Sequence, residues 1–207
     1  MNPNTEDGRE RRHQAERFSV VAVASSAGGV TALSKMLSGL PASLPVPVLV
    51  VQHLDPRHDT VLAEILARRT RLTVKLAEHG ELARPGVVHL APPNRHLLVE
   101  GDGRLALTDS KLVHFVRPSA DLLFESVAGA YGARAVGCVL TGTGVDGAMG
   151  VRAIKDRNGT VVIEDPETAE FKGMPSAALA TGAVDFVLPL EEIADVLASL
   201  VGTGEPA

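Results

Sequence analysis

The stretch "VVAVASSAGGV", residues 20–30, runs an apolar β-branched segment into two serines and two glycines, with a helix-like pattern beyond. That order puts a hydroxyl on a strand-to-helix turn, where either a nucleophile or an anion-binding loop can sit. A serine hydroxyl is a poor nucleophile until a base takes its proton, and the base needs a third group to fix its tautomer. Two other stretches offer such groups. "VVQHLD" delivers His53, and "LTGTGVDG" delivers Thr141, Thr143 and Asp146, each just past an apolar run. Ser25 or Ser26, His53 and Asp146 therefore stand at the ends of three candidate strands. Seven histidines and many aspartates make chance triples easy. The coincidence points toward a hydrolase, and the residues alone do not choose between the two serines.

The elements that must position these groups follow from periodicity. Phe18–Ala24 reads as a strand, and Val30–Leu40 as a helix with Leu33, Met36, Leu37 and Leu40 at 3/4 spacing. "PVPVLVVQHL" is a second strand ending at His53; residues 59–69 form a helix with Asp59 near its start and arginines at its end; "LTVKLA" is a third strand. Residues 84–108 carry Pro-Pro-Asn and Gly-Asp-Gly turn signals between short β runs, so a β-hairpin insertion is expected around 87–108. "PSADLLFESVAGAY" predicts a helix capped by Ser119, with Asp121 in its first turn. Strands at "ARAVGCVL", "TVVIED" and "AVDFVLP" alternate with helices after Gly147, at "MPSAALATG" and at "LEEIADVLASLV". Repeated βα units imply an α/β fold: a doubly wound, mostly parallel β-sheet sandwiched by helices. Ligand sites of such sheets lie at the carboxyl ends of the strands, where all three candidate groups fall.

The 207 residues suit one such domain, expected over 18–201, with 1–17 as a disordered tail or linker stub and 202–207 as a second tail. Apolar residues make up 45% but aromatics only 3%, so the core must be Val, Leu, Ile and Ala. A net charge of −5 argues against nucleic acid as a partner. No apolar run approaches the ~20 residues that span a bilayer. Arg11-Arg12 before the run from Phe18 vaguely resembles a signal peptide, but Glu16 and Arg17 abut that run and it makes a good first strand. The lone Cys138 reads as a small buried hydrophobe and, with no disulfide possible inside the chain, suits a reducing cytoplasm. "HLDPRHD" groups His53, Asp55, His58 and Asp59, but its spacing matches no zinc signature, and no metal or cofactor is expected.

In order along the chain come "AVASSAGGVTAL", "VVQHLDPRH", "HGELARPGVVHLAPPNRHLLV", "RPSADLLFESVA", "VGCVLTGTGVDGAMG" and "FKGMPSAAL". Together they resemble the catalytic domain of the bacterial chemotaxis protein-glutamate methylesterase, over about residues 18–201. The family motif Gly-Ala-Ser-Thr-Gly-Gly lays its nucleophile on Ser26, before Ala27-Gly28-Gly29; its histidine falls on His53 and its Asp on Asp146. The resemblance implies hydrolysis of γ-glutamyl methyl esters on the cytoplasmic helices of methyl-accepting chemoreceptors, and deamidation of certain receptor glutamines. It makes the backbone N–H groups of Ala27 and Thr143 the oxyanion candidates. Three positions depart from the family: Ala24 replaces a glycine, and Thr143 and Val145 replace a methionine and an asparagine. These departures keep open a weakened module that docks receptors without turnover. A phosphate-binding turn at Gly28-Gly29 is the other alternative, although the segment lacks a P-loop lysine. Residues 1–17 are too short for the receiver domain typical of the family, and the sequence names neither a receptor nor an oligomeric state.

Overall fold

A strand covered on both faces must be apolar throughout, and Val20–Ser25 (β1) is buried at every position. The structure, a computed structural model, describes residues 18–54 and 60–202. After β1 come α1 (Gly29–Gly39), β2 (Val48–Gln52), α2 (Leu62–Ala67), β3 (Thr73–Leu76), β4 (Val87–Leu90), β5 (His96–Val99) and β6 (Leu105–Thr108). Then follow α3 (Ala120–Tyr131), β7 (Ala135–Val139), α4 (Ala148–Asp156), β8 (Thr160–Glu164), α5 (Gly173–Leu179), β9 (Phe186–Leu188) and α6 (Leu190–Leu200). Seven strands form one sheet in the order β3-β4-β2-β1-β7-β8-β9, parallel at every pairing. The chain leaves β1 toward β2 on one side and returns to β7 on the other, so the strand order reverses at β1. That reversal opens the crevice in which such sheets bind ligands.

Alternate residues of β1 feed two cores. Val21 and Val23 join Leu33, Met36 and Leu37 of α1, Leu66 of α2 and Leu197 of α6. Val20, Ala22 and Ala24 join Phe124 and Val127 of α3, Ile154 of α4, Met174 of α5 and Leu97 and Leu105 of the hairpin. Phe124 is the one aromatic side chain fully buried among the described residues, as the aliphatic composition requires. Cys138 sits in the first core, where burial pushes its thiol pKa up.

The 87–108 region differs in part from the sequence reading. The antiparallel pair is confined to β5 and β6, whereas Val87–Leu90 is a parallel strand of the main sheet between β3 and β2. Proline and turn signals on both sides of each short β run read alike whether the run joins a hairpin or the main sheet. The helix expected over 59–69 is observed over Leu62–Ala67, with Asp59 outside the described residues. Both expected tails, 1–17 and all of 202–207 except Gly202, also lie outside them.

Candidate active site

The two serines at the end of β1 have different surroundings. Ser25 is fully buried, and its hydroxyl donates to Gln52 Oε1 at 2.7 Å. Gln52 Nε2 in turn donates to the carbonyl oxygens of Ser26 (2.8 Å) and His53 (2.9 Å), tying the ends of β1 and β2 together. This packing leaves no room at position 29: a Cβ there would lie 1.9 Å from Gln52 Oε1. Ser26 is half-buried, its N–H donates to the Thr141 carbonyl at 3.1 Å, and its hydroxyl makes no hydrogen bond among the described residues. Gly28 carries the turn into α1 at φ +73°, where a side chain is strained and a Cβ would meet Glu170 Oε2 at 2.7 Å.

Asp146 is buried and receives four donors. Oδ2 accepts from His53 Nε2 at 2.8 Å and from the Ala120 N–H at 2.6 Å; Oδ1 accepts from the Ser119 hydroxyl at 2.8 Å and the Asp121 N–H at 3.2 Å. It thus occupies the N-terminus of α3, where orphan N–H groups and the helix dipole favour an anion. Ser119, expected to cap α3 with its own hydroxyl, spends that hydroxyl on Asp146 instead. Burial pushes the Asp146 carboxyl up, but its bonds to His53, Ala120 and Ser119 outweigh burial and hold it below the usual range. An ionised Asp146 can only accept, so His53 carries its proton on Nε2, and Nδ1 is left as the basic nitrogen. The His53 side chain retains 13% of its exposure.

His96 was not singled out by sequence, being one of seven histidines. It is fully buried: Nδ1 accepts from the Ser119 N–H and Nε2 donates to the Lys111 carbonyl, both at 3.1 Å. Burial holds it below the usual histidine range, so it acts as a neutral strut under the start of α3. Gln52, Ser119 and Asp121 were likewise invisible as site residues, since each acts across at least 25 residues of sequence.

The loop after β7 is braced from behind. Thr141 N–H donates to the buried Glu164 at 2.7 Å, the Thr141 hydroxyl accepts from the Phe171 N–H at 2.8 Å, and Gly142 exchanges backbone bonds with Phe171 and Met174. Burial pushes the Glu164 carboxyl up. Beyond this brace Thr143 and Val145 are exposed, and neither the Ala27 nor the Thr143 N–H is used by another described residue. A cavity of about 270 Å³ opens beside His53, with Leu112, Phe115 and Arg117 in its wall. Arg117 is committed internally to Asn94 Oδ1 and to the Asp109 and Ser110 carbonyls. The methyl of Ala24 lies in the second core, 4.0 Å from where a Cβ on Gly147 would sit, and does not face the turn.

Other chemistries fit these surroundings less well. The Gly28 turn shares a cavity of about 320 Å³ with Glu164, Glu170 and Glu191, which repel a phosphate. Of the metal-like group His53, Asp55, His58 and Asp59, the last three lie outside the described residues, and His53 Nε2 is committed to Asp146. His114, Asp121 and Asp146 bring one ligand atom each within 4.8 Å, but every carboxylate oxygen there already accepts a donor.

Residues 21–197 match the family model described as CheB methylesterase. A Leptospira interrogans chain with the provisional name protein-glutamate methylesterase/protein-glutamine glutaminase is 38% identical over 88% of this chain and 95% of its own length. An Anaeromyxobacter dehalogenans protein-glutamate methylesterase/protein-glutamine glutaminase is 44% identical over 93% of this chain, which spans 57% of that relative. The crystal structure of the Thermotoga maritima CheB methylesterase catalytic domain superposes with a TM-score of 0.85 at 37% identity, covering 89% of this chain and 99% of that one.

Proposed function

This chain belongs to the CheB methylesterase family, and from that premise we propose that it removes methyl groups from glutamate γ-methyl esters of methyl-accepting chemoreceptors and deamidates receptor glutamines. Ser26 is the nucleophile, His53 the base and Asp146 the group that orients it. The observation that carries the reading is the 2.8 Å bond from His53 Nε2 to Asp146 at the end of the strand beside Ser26, with Ser25 buried and its hydroxyl donated to Gln52.

Chemically, Ser26 Oγ attacks the ester carbonyl while His53 Nδ1 takes its proton, and the imidazolium is stabilised by Asp146. The tetrahedral oxyanion is held by the N–H groups of Ala27 and Thr143, each such donor contributing roughly 3–4 kcal/mol to barrier lowering. Collapse breaks the C–O bond, and His53 returns the proton to methanol; for a glutamine the leaving group is ammonia. Water, deprotonated by His53, then attacks the acyl-enzyme and releases glutamate and free Ser26. The Ser26 hydroxyl and His53 Nδ1 are not hydrogen-bonded to each other among the described residues, and catalytic bonds of this kind commonly form only in the substrate complex. The partner is the cytoplasmic helical region of a receptor, which places the protein in the cytoplasm; no helix among the described residues is long and apolar enough to cross a membrane.

Fluorophosphonate labelling tests the assignment. Wild type and Ser25→Ala take the label, and Ser26→Ala does not. Label that survives in Ser26→Ala and disappears in Ser25→Ala overturns the choice of nucleophile.

A further inference from the structure

Asp121 is a buried carboxylate that the mechanism above does not use. Its Oδ1 accepts from the Gly147 N–H at 2.9 Å and from the Gly150 N–H at 2.7 Å, both at the start of α4. Its Oδ2 bonds His114 Nε2 at 3.0 Å. The arrangement is reciprocal. Asp146, one residue before the α4 cap Gly147, occupies the N-terminus of α3, while Asp121, in the first turn of α3, occupies the N-terminus of α4. Each helix start is thus closed by a carboxylate from the other, and Phe124 and Asp121 press on Gly150 so closely that a Cβ there would lie 2.5 Å from Phe124 Cβ.

We propose that Asp121 is a positioning residue for the reaction: by bonding Gly147 and Gly150 it fixes the turn that carries Asp146, and so fixes the Asp146–His53 bond. Three observations carry this. Asp121 touches the two N–H groups that bracket the first turn of the helix directly after Asp146. The Asp146 oxygens are held in return by the N–H groups of Ala120 and Asp121 itself, so movement at one end of the pair moves the other. Asp121 is also screened from the cavity: it is 3% exposed, and His114 covers its second oxygen, so it has no route to substrate. What Asp121 supplies is the place of its Oδ1 more than its charge. An asparagine keeps a carbonyl oxygen there, and His114 can shift its proton to Nδ1 and accept from the new amide. A glutamate keeps the charge but moves the oxygens outward by one C–C bond, about 1.5 Å.

The inference rests on the roles given above to Ser26, His53 and Asp146, and two readouts keep the failures apart. One is the low-field proton resonance of the His53 Nε2–H bound to Asp146, which needs no turnover; the other is the fluorophosphonate labelling rate. The expected result is that Asp121→Asn keeps both, while Asp121→Glu loses the low-field resonance and labels about a hundredfold more slowly, the cost of misplacing a catalytic group by about 1 Å. Both variants retain a polar side chain at a helix start, and thermal unfolding checks that they fold. Asp121→Glu with the resonance intact, or Asp121→Asn without it, overturns the inference. A wild-type chain that shows the resonance but takes no label fails the hydrolase reading and leaves the resonance test of Asp121 standing.

Discussion

Replacing Asp146 by asparagine separates the charge of this residue from its shape. The amide nitrogen must face one pair of donors. On the Oδ2 side it would oppose the Ala120 N–H at 2.6 Å and force His53 to release its Nε2 proton. On the Oδ1 side it meets the Ser119 hydroxyl, which can turn and accept, and only the longer Asp121 contact at 3.2 Å is lost. The second orientation is the favoured one, so His53 keeps its tautomer. The chemical loss is then the difference between a charge-assisted and a neutral hydrogen bond to the imidazolium, about 1–2 kcal/mol. At about 1.4 kcal/mol per factor of ten, labelling slows roughly 5- to 30-fold. Wrong-tautomer behaviour instead costs about 10⁴ in the well-studied serine-protease triad. Stability falls as well: the α3 N-terminus loses its anion, about 1 kcal/mol, and the buried Asp121 N–H is left unpaired, about 1–2 kcal/mol. For a domain of this size each kcal/mol lowers Tm by about 2–4 °C, so a drop of roughly 4–12 °C is expected. The assay pairs labelling kinetics with thermal unfolding. A 10⁴-fold loss refutes the orientation argument, and an unchanged Tm refutes the role of Asp146 at the start of α3.

Other substitutions probe the frame. Ser25→Ala removes one buried hydrogen bond to Gln52 and lowers unfolding free energy by about 1 kcal/mol in denaturant titration, with labelling near wild type. Gly29→Ala drives a methyl into Gln52 and breaks its ties to both strand ends, so it destabilises by about 2–4 kcal/mol and abolishes labelling in the same assays. His96, held neutral by burial below its free value of 6.5, contributes stability that is present above about pH 6.5 and is lost as pH falls through its lowered folded value. His96→Gln, with no proton to take up, shows a shallower fall of Tm between neutral and acid pH than wild type does.

The alternation of strands and helices was legible because each element carries its own period, and the three strand ends were legible because ligand crevices follow strand order. Ser26 could be named only by resemblance. The sequence holds no local mark that Ser25 is consumed by Gln52, since that bond spans 27 residues. Ser119 shows the limit of local rules. A serine before a helix reads as its cap, yet the cap of α3 comes from Asp146, further along the chain, and the serine serves the aspartate. Val87–Leu90 reads as part of the hairpin insertion but belongs to the main sheet, because four residues cannot state which strands they pair with.

Methanol release from a methylated receptor fragment, measured for wild type and for Ser26→Ala, tests the central claim most directly. Time-dependent methanol from wild type, with none above background from the variant, is the expected result. A wild-type protein that takes the fluorophosphonate label at Ser26 yet releases no methanol from glutamyl methyl esters contradicts it.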